Sequence, residues 1–373
     1  MTGLGAVTPL GESFQASWEA LKKGEQGTGP VTGFDAGRRP LFSSKEINRL
    51  DRFALYGAFA AQMALLDADL PGTGLEAGIV MGSSRGGVMT MEKALVCGKK
   101  ISPYAMHAST VGMAASYIAQ KFEIKGHSFG ISSACASGMH ALGEGVSLIK
   151  SGAEEVVLAG GAEAPLTRLC IEGYGRAGAL SKTNSSRPFD SRRDGFVLSE
   201  GAAVLVIEEY KRAIKRKAKI YGEIVGYGNT ISALHETRPD IEGEMRAMRM
   251  AIKEAGLNPD EISLIAAHAT GTPLGDRAEA ESIRNVFGNK VPVLALKSLS
   301  GHMLSASAPF EAAVALMCMR EGLIPPYPHL KENDSGLKIS VKGGKVKARY
   351  ALVNSFGFGG FCAGLVLKTE PPI

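Results

Sequence analysis

The sequence predicts an α/β protein with a mixed, largely parallel sheet that is covered on both faces by helices. Apolar runs of strand length, such as residues 77–82 and 202–208, alternate with amphipathic helical patterns along almost the whole chain. The 47 glycines are interleaved with these apolar runs, which indicates tight connections and not disorder. A strand, a Ser/Gly-rich loop and a helix recur around Cys135 and around His302, as an internally duplicated fold would require.

The first half of the chain is predicted to alternate helices and strands up to residue 210. Almost no apolar run precedes residues 3–11, so we predict a turn there and a first strand that is mostly missing. Ser44 is predicted to cap a segment that runs into an alanine-rich helix, and residues 165–198 are predicted to be irregular. The other predicted elements are helices over residues 13–23, 53–66 and 111–122, and strands over residues 77–82, 155–161 and 202–208.

The second half continues the alternation. Gly256 follows a periodic segment and is a normal signal for the end of a helix. The predicted elements are helices over residues 209–216, 243–255, 275–287 and 308–321, and strands over residues 220–227, 262–268, 291–296, 350–354 and 363–367.

Composition narrows the class of protein. Hydrophobic residues make up 45% and charged residues 21% of the 373 residues, as in a globular protein of two domains or two halves. The net charge of +5 comes without a basic stripe, which argues against nucleic acid binding. No stretch of membrane-spanning length and no secretory pattern occurs, so we expect no membrane association and a cytoplasmic location. The odd number of cysteines without CxxC spacing fits a reducing compartment and no zinc site: Cys97, Cys135, Cys170, Cys318 and Cys362.

Cys135 lies between a short β-favouring run and an amphipathic helical pattern. Leu142, Val146 and Ile149 have the spacing of a buried helix face, which places Cys135 near the first turn of that helix. Unpaired N–H groups and the helix dipole at that end would favour the thiolate. The small residues around Cys135 leave room for a substrate. A buried structural cysteine fits this stretch equally well.

Two histidines occur in the same context as Cys135. We predict three buried strands that end in small-residue loops carrying Cys135, His268 and His302. Ligands bind beyond the carboxyl ends of strands in open α/β sheets, so the three side chains are expected to converge. A thiolate with two imidazoles indicates acyl transfer through a thioester. The glycines of residues 357–360 either offer N–H groups to an oxyanion or form a plain turn.

Five motifs in the same order resemble the β-ketoacyl-[acyl-carrier-protein] synthases of the thiolase superfamily, nearest to the type II elongating enzymes. The resemblance runs over residues 2–368 and implies a thiolase-like fold, an internally duplicated five-layer α-β-α-β-α arrangement. It also implies an N-terminal half over residues 1–210 with the nucleophile and a C-terminal half over residues 211–373 with two catalytic histidines. The motifs are Ser133-Ala-Cys-Ala-Ser-Gly138, Arg193-Asp-Gly-Phe-Val197, His268-Ala-Thr-Gly-Thr-Pro-Leu-Gly-Asp276, Leu296-Lys-Ser-Leu-Ser-Gly-His302 and Asn354-Ser-Phe-Gly-Phe-Gly-Gly360.

The resemblance also implies a role for individual residues. Cys135 matches the acyl-accepting nucleophile, and His268 and His302 match the pair that assists decarboxylation. Lys297 matches the lysine that organises this pair, and Glu311 matches its acidic partner. Phe358 matches the gating phenylalanine, whose backbone N–H joins that of Cys135 in the oxyanion hole. The implied substrate-binding residues are Thr270, Thr272, Phe356 and Gly357, and the candidate carrier-protein contacts are Lys45 and Arg49.

The implied reaction is a decarboxylative Claisen condensation in fatty acid elongation. Malonyl-[acyl-carrier-protein] would condense with an acyl group on Cys135 to give 3-oxoacyl-[acyl-carrier-protein]. No metal or organic cofactor is expected, because the substrate loses its own carboxylate as CO₂ and the phosphopantetheine arrives on the carrier protein. The implied partners are the acyl carrier protein and a second copy of the chain in a homodimer.

Several positions depart from the family pattern. Residues 361–362 are Phe-Cys where Thr-Asn is usual, Ala269 replaces a glycine, and Gly178 stands where a docking arginine is expected, with Arg176 nearby. Ser305 and residues 308–309 also differ from the small residues usual after His302. These differences leave the acyl-chain preference open. The alternatives are a synthase of a specialised polyketide or lipid pathway, or a non-catalytic partner subunit like a chain-length factor. A degradative thiolase is disfavoured because it uses a second cysteine where this chain has the Phe358 loop.

Overall fold

Two five-stranded sheets form the framework of the protein, which a computed structural model describes over residues 1–96 and 101–369. Cys97, one of the five cysteines considered above, lies outside the described residues. The strands are β1 (Gly3–Val7), β2 (Gly78–Gly82), β3 (Ser128–Ile131), β4 (Val156–Glu163), β5 (Gly201–Glu208), β6 (Glu223–Ile231), β7 (Leu264–Ala266), β8 (Val293–Leu294), β9 (Leu323–Ile324), β10 (Gly344–Lys345), β11 (Tyr350–Gly357) and β12 (Phe361–Lys368).

Helices connect these strands throughout the chain. They are α1 (Phe14–Lys22), α2 (Ser44–Arg49), α3 (Arg52–Asp67), α4 (Val88–Val96), α5 (Ala105–Ser109), α6 (Met113–Phe122), α7 (Ser137–Lys150), α8 (Arg168–Arg176), α9 (Tyr210–Lys215), α10 (Ile241–Glu254), α11 (Pro273–Phe287), α12 (Lys297–Ser300) and α13 (Ser307–Glu321).

The two sheets repeat one topology. The first has the strand order β1-β5-β4-β2-β3 and the second has the order β6-β12-β11-β7-β8. In each sheet the first two pairings are antiparallel and the last two are parallel. The predicted mixed α/β fold with an internal duplication is therefore confirmed. The prediction that the sheets are largely parallel is wrong, because β5 and β12 run antiparallel to both of their neighbours.

The elements stack in five layers. Helices α7 and α13 contact each other and pack between the two sheets. Helix α3 covers the other face of the first sheet, and α10, with α11 against it, covers the other face of the second. The largest apolar cluster joins the central helices to both sheets, so the two halves share one core. Among the described helices, none is long and apolar enough to cross a membrane.

The predicted turn over residues 3–11 is wrong, because residues Gly3–Val7 form a fully buried strand that pairs with β5. Its glycines serve close packing. A Cβ atom built on Gly3 would lie 2.1 Å from the Ala64 carbonyl oxygen, and one on Gly5 would lie 2.0 Å from that of Ala60. Helix α3 therefore lies directly against the backbone of β1. Side chains at these positions would push the helix away.

Three local predictions in the first half are also corrected. Ser43, not Ser44, caps a separate short helix through a capping box, and Asp51 caps the alanine-rich helix that follows. The predicted irregular region contains α8, whose cap is the Thr167 side chain accepting the Cys170 N–H. Strand β3, before Cys135, is not buried. It lies at the edge of its sheet, and 41% of the Phe129 surface is exposed.

Candidate active site

Cys135 lies in a tight turn between β3 and the first residue of α7. Ala134 has φ +51°, a left-handed conformation that costs free energy for a residue with a side chain. The turn is held by the Ser137 hydroxyl, which accepts the Ser133 N–H at 2.8 Å and donates to the Ala134 carbonyl at 2.6 Å. The Ser355 hydroxyl of β11 donates to the Cys135 carbonyl at 3.3 Å. Strand β11 of the second sheet thus helps to hold Cys135, which follows the edge strand of the first sheet.

The Cys135 sulfur contacts His302 inside the protein. The distance from Sγ to His302 Nε2 is 3.2 Å, and only 8% of Cys135 is exposed. Burial raises the pKa of the Cys135 thiol to about 11, against the opposing effect of the Lys297 charge. The predicted resting thiolate is therefore wrong, because the desolvation of a buried anion outweighs the helix end and the nearby cation. The thiol is neutral near pH 7.

His268 and His302 lie edge to face, with their ring centroids 5.4 Å apart. Burial lowers the pKa of both rings well below the usual value, and the positive charge of Lys297 lowers both further. Both imidazoles are therefore neutral at physiological pH. Nδ1 of His268 has no hydrogen-bond partner among the described residues.

Lys297 and Glu311 form an ion pair behind the histidines. Lys297 Nζ donates to Glu311 Oε1 at 2.7 Å, and the side chains are 0% and 1% exposed. Burial raises the pKa of Glu311 to about 7, while the attraction of Lys297 opposes this rise. Neither side chain belongs to the wall of the cavity described below. The pair therefore acts on the histidines through its field and through packing.

Glu279 on α11 holds the loop that carries His268. Its carboxylate accepts the backbone N–H groups of His268 and Ala269, each at 2.7 Å, and the Asn354 side chain at 3.1 Å. These bonds stabilise Ala269 in a left-handed conformation, with φ +42°, at the position where the family has glycine. The sequence analysis missed Glu279. The available signal was its position three residues after Asp276, on the same helix face.

A cavity of about 430 Å³ brings most of the predicted residues together. Lys45 and Arg49 are exposed on α2 and lie outside its wall. Arg238, which the sequence analysis did not name, lies in the wall and is exposed. The predicted residues in the wall are Cys135, His268, Thr270, Thr272, His302, Phe356, Gly357 and Phe358.

The loop of Phe358 passes close to the cysteine turn. A Cβ atom on Gly357 would lie 2.8 Å from the Ser133 carbonyl oxygen, so glycine is required for this approach. The Gly359 N–H donates to the Glu236 carbonyl at 2.6 Å and is therefore occupied. Phe358 is 37% exposed. The unusual Phe361 and Cys362 also line the cavity.

An apolar cluster that includes Cys135 draws most of its members from the first half of the chain. Phe196 packs edge to face on His302, with centroids 5.1 Å apart, and Tyr174 packs on Phe196 at 5.5 Å. This cluster could not be predicted because its members are dispersed along the chain. It consists of Val88, Cys135, Cys170, Ala179, Phe196, Leu198 and Leu304. Of these, Cys135, Ala179 and Phe196 line the cavity. No group of His, Cys, Asp and Glu residues in the described ranges could hold a metal ion.

Comparison with protein families gives the class of the chain. The model of the beta-ketoacyl synthase N-terminal domain matches residues 40–213, and that of the C-terminal domain matches residues 221–331. The chain belongs to the beta-ketoacyl synthase family. It is 36% identical over 403 aligned residues to the 3-oxoacyl-[acyl-carrier-protein] synthase 2 of Synechocystis sp., covering 99% of this chain and 97% of that protein. This beta-ketoacyl synthase is accordingly an acyltransferase of the same class, as the resemblance implied.

Solved structures agree with the family. A beta-ketoacyl synthase from Burkholderia phymatum superimposes with a TM-score of 0.91 at 30% identity, covering 99% of this chain and 98% of the other. A ketosynthase in complex with its type II polyketide acyl-carrier protein superimposes with a TM-score of 0.87 at 28% identity, with the same coverage of both chains. The thiolase-like arrangement expected from the sequence is therefore confirmed.

Proposed function

We propose that this beta-ketoacyl synthase catalyses the elongating condensation of fatty acid synthesis. An acyl group on Cys135 condenses with malonyl-[acyl-carrier-protein] to give 3-oxoacyl-[acyl-carrier-protein] and CO₂. The observation that carries the proposal is the 3.2 Å contact between Cys135 Sγ and His302 Nε2, beside His268 in the same cavity. Nucleophile and neutral imidazoles therefore face one reaction space.

The first half-reaction transfers the acyl group. The Cys135 sulfur attacks the thioester carbonyl of the acyl group on the carrier protein. The proton of the Cys135 thiol is transferred to the departing phosphopantetheine sulfur. The developing thiolate is stabilised by the N-terminus of α7. The N–H groups of Cys135 and Phe358 stabilise the oxyanion of the tetrahedral intermediate. The apolar part of the cavity wall beside Cys135, which includes Ala179 and Phe196, contacts the acyl chain in this proposal.

The second half-reaction forms the carbon–carbon bond. The phosphopantetheine arm of malonyl-carrier protein lies along Thr270 and Thr272, and the malonyl group reaches the two rings. Loss of CO₂ leaves an enolate, whose oxygen accepts hydrogen bonds from His268 and His302. The enolate carbon attacks the carbonyl of acyl-Cys135 and expels the Cys135 thiolate, which takes up one proton from water to restore the resting thiol. Neutral imidazoles suit this step because they donate N–H groups without giving up a proton.

The carrier protein is the partner that this chemistry requires. Lys45, Arg49 and Arg238 are exposed cations that would attract an acidic carrier protein. Because Arg238 lies at the cavity wall, we favour it as the contact nearest the phosphopantetheine. Lys45 and Arg49 are peripheral contacts in this proposal.

A homodimer is the proposed assembly. Among the described residues, strand β3 pairs only with β2, and its other edge is exposed. Two apolar side chains, Leu95 on α4 and Met106 on α5, are also exposed, at 82% and 81%. Unpaired edges and apolar patches of this kind are covered in stable proteins. Sedimentation equilibrium should give twice the chain mass, and a monomer at micromolar concentration would contradict the assembly.

The proposed location is the cytoplasm, and no metal or organic cofactor takes part in the proposed reaction. The cysteines described in the structure are free and buried, as expected in a reducing compartment. The 3-oxoacyl-[acyl-carrier-protein] synthase 2 relatives favour fatty acid elongation over a specialised pathway. The presence of Cys135 disfavours a non-catalytic partner subunit.

A panel of acyl carrier proteins loaded with acyl groups of different length tests the proposed reaction and its chain-length preference together. Each acylated carrier protein is mixed with malonyl-carrier protein and the purified chain, and 3-oxoacyl product and released CO₂ are measured. The proposal expects equal amounts of both from straight-chain substrates. CO₂ release without 3-oxoacyl product for every acyl group would refute it.

A further inference from the structure

Ser307, the first residue of α13, contacts Nδ1 of the His302 ring, the nitrogen that does not face Cys135. The distance from Ser307 Oγ to His302 Nδ1 is 3.3 Å. The same oxygen accepts the Met303 N–H at 3.0 Å, and Ser307 is only 2% exposed. The hydroxyl is therefore held by the backbone on one side and lies against the ring on the other.

The direction of the Ser307–His302 hydrogen bond follows from the available partners. In the described part of the chain, Nδ1 is the only acceptor in contact with the Ser307 hydroxyl proton. The ring is neutral because burial and Lys297 disfavour its charged form. A neutral imidazole that accepts a hydrogen bond at Nδ1 carries its proton on Nε2. Nε2 is the nitrogen that faces Cys135 at 3.2 Å.

We propose that Ser307 is a positioning residue that holds His302 in the tautomer with its proton on Nε2. In the proposed condensation, on which this inference rests, that N–H donates to the enolate oxygen as negative charge develops. Without the hydroxyl, the ring can place its proton on Nδ1 and turn the Nε2 lone pair toward the same oxygen. The second tautomer would repel the charge instead of stabilising it.

The nearby Ser305 has a different partner. Its hydroxyl donates to Glu163 Oε1 at 2.8 Å and does not contact a histidine. A matched control for losing a buried serine hydroxyl is Ser17 on α1, which is 0% exposed and donates to the Ser13 carbonyl at 2.9 Å. Ser17 does not belong to the cavity wall.

The test compares Ser307→Ala, Ser307→Thr and Ser17→Ala with the wild type. Loss of one neutral hydrogen bond that orients a reacting group is expected to lower kcat of condensation about 10-fold, with little change in KM for malonyl-carrier protein. Ser307→Thr keeps the hydroxyl and should recover most of the rate. Ser17→Ala should stay within about 2-fold of the wild type. Equal rates for Ser307→Ala and the wild type would overturn the inference.

A second measurement reads the tautomer directly and does not depend on turnover. Solid-state ¹⁵N spectra of histidine-labelled protein are recorded for the wild type and Ser307→Ala, with His302→Asn to assign the signal. The wild type should show His302 protonated at Nε2, and Ser307→Ala should show a mixture of tautomers. A wild-type ring protonated at Nδ1 would overturn the inference even if condensation occurs. The correct tautomer in an inactive wild type would instead count only against the proposed function.

Discussion

The buried pair Lys297–Glu311 is expected to serve stability and catalysis in separable ways. Their side-chain atoms are 2.7 Å apart and 0% and 1% exposed. Glu311→Leu leaves a buried ammonium without a counter-charge, and removal of one partner of such a pair costs about 3–5 kcal/mol of unfolding free energy. Lys297→Met should cost less at low pH, because Glu311, whose pKa burial raises to about 7, can take up a proton.

The pH dependence of Lys297→Met has a definite sign. The folded-state pKa of Glu311 is raised above its unfolded value of 4.5, so the folded state binds the proton more tightly. The contribution of Glu311 to the stability of this variant should therefore be greatest below pH 4.5 and fall as pH rises through the folded pKa, which losing Lys297 moves above about 7. A stability relative to the wild type that rises between pH 5 and pH 8 would refute this reasoning.

The double variant Lys297→Met/Glu311→Leu separates the two roles. Replacing both charges with apolar groups should return the unfolding free energy to within about 2 kcal/mol of the wild type. The condensation rate should stay about 10- to 100-fold low, because the charge that acts on the two rings is gone and their placement has changed. Guanidinium unfolding at fixed protein concentration and the 3-oxoacyl product assay measure the two quantities. A stable double variant with wild-type turnover would refute the assigned role of Lys297.

Three further predictions follow from the same geometry. His302→Ala should retain acylation of Cys135 but lose condensation, measured by protein mass and product formation; equal loss of both would contradict its assignment to the second half-reaction. Because the pKa of the Cys135 thiol is raised to about 11, its alkylation by iodoacetamide should rise about 100-fold from pH 7 to pH 9, and a plateau below pH 8 would show a thiolate at rest. Glu279→Gln should lower the unfolding free energy by about 1.5–3 kcal/mol, because an amide cannot accept both N–H groups of the His268 loop as strongly as a carboxylate. Denaturant unfolding checks this last value, and an unchanged midpoint would contradict it.

The positions of the reacting groups could be predicted from sequence because they follow from local patterns. Cys135 and His268 each come after a strand and before a helix, and His302 follows β8 after the short helix α12. The duplicated topology places all three at one cavity. Local patterns also predicted most helices, such as α3, whose alanines pack against the first sheet. The state of the Cys135 thiol could not be predicted in this way. Its pKa depends on burial by residues from both halves of the chain.

Glycines and edge strands account for the other differences. The lack of an apolar run before residues 3–11 suggested a turn, but Gly3 and Gly5 allow α3 to contact the backbone of the buried β1, which only the packed structure reveals. The run before Cys135 suggested a buried strand, but its place at the sheet edge depends on the strand order. Glu279 and Ser307 were missed because each acts on a backbone or ring brought close by folding. No short motif records such contacts.

The mass of the peptide that contains Cys135, after incubation with an acylated carrier protein, tests the central claim most directly. The purified chain is incubated with the acylated carrier protein and digested, and its peptides are analysed by mass spectrometry, with Cys135→Ser as the control. The proposed function predicts an acyl group on the Cys135 peptide of the wild type alone, which disappears with formation of 3-oxoacyl product when malonyl-carrier protein is added. An unmodified Cys135 peptide before malonyl-carrier protein is added, in a preparation that forms 3-oxoacyl product once it is added, would contradict the claim that Cys135 carries the acyl group.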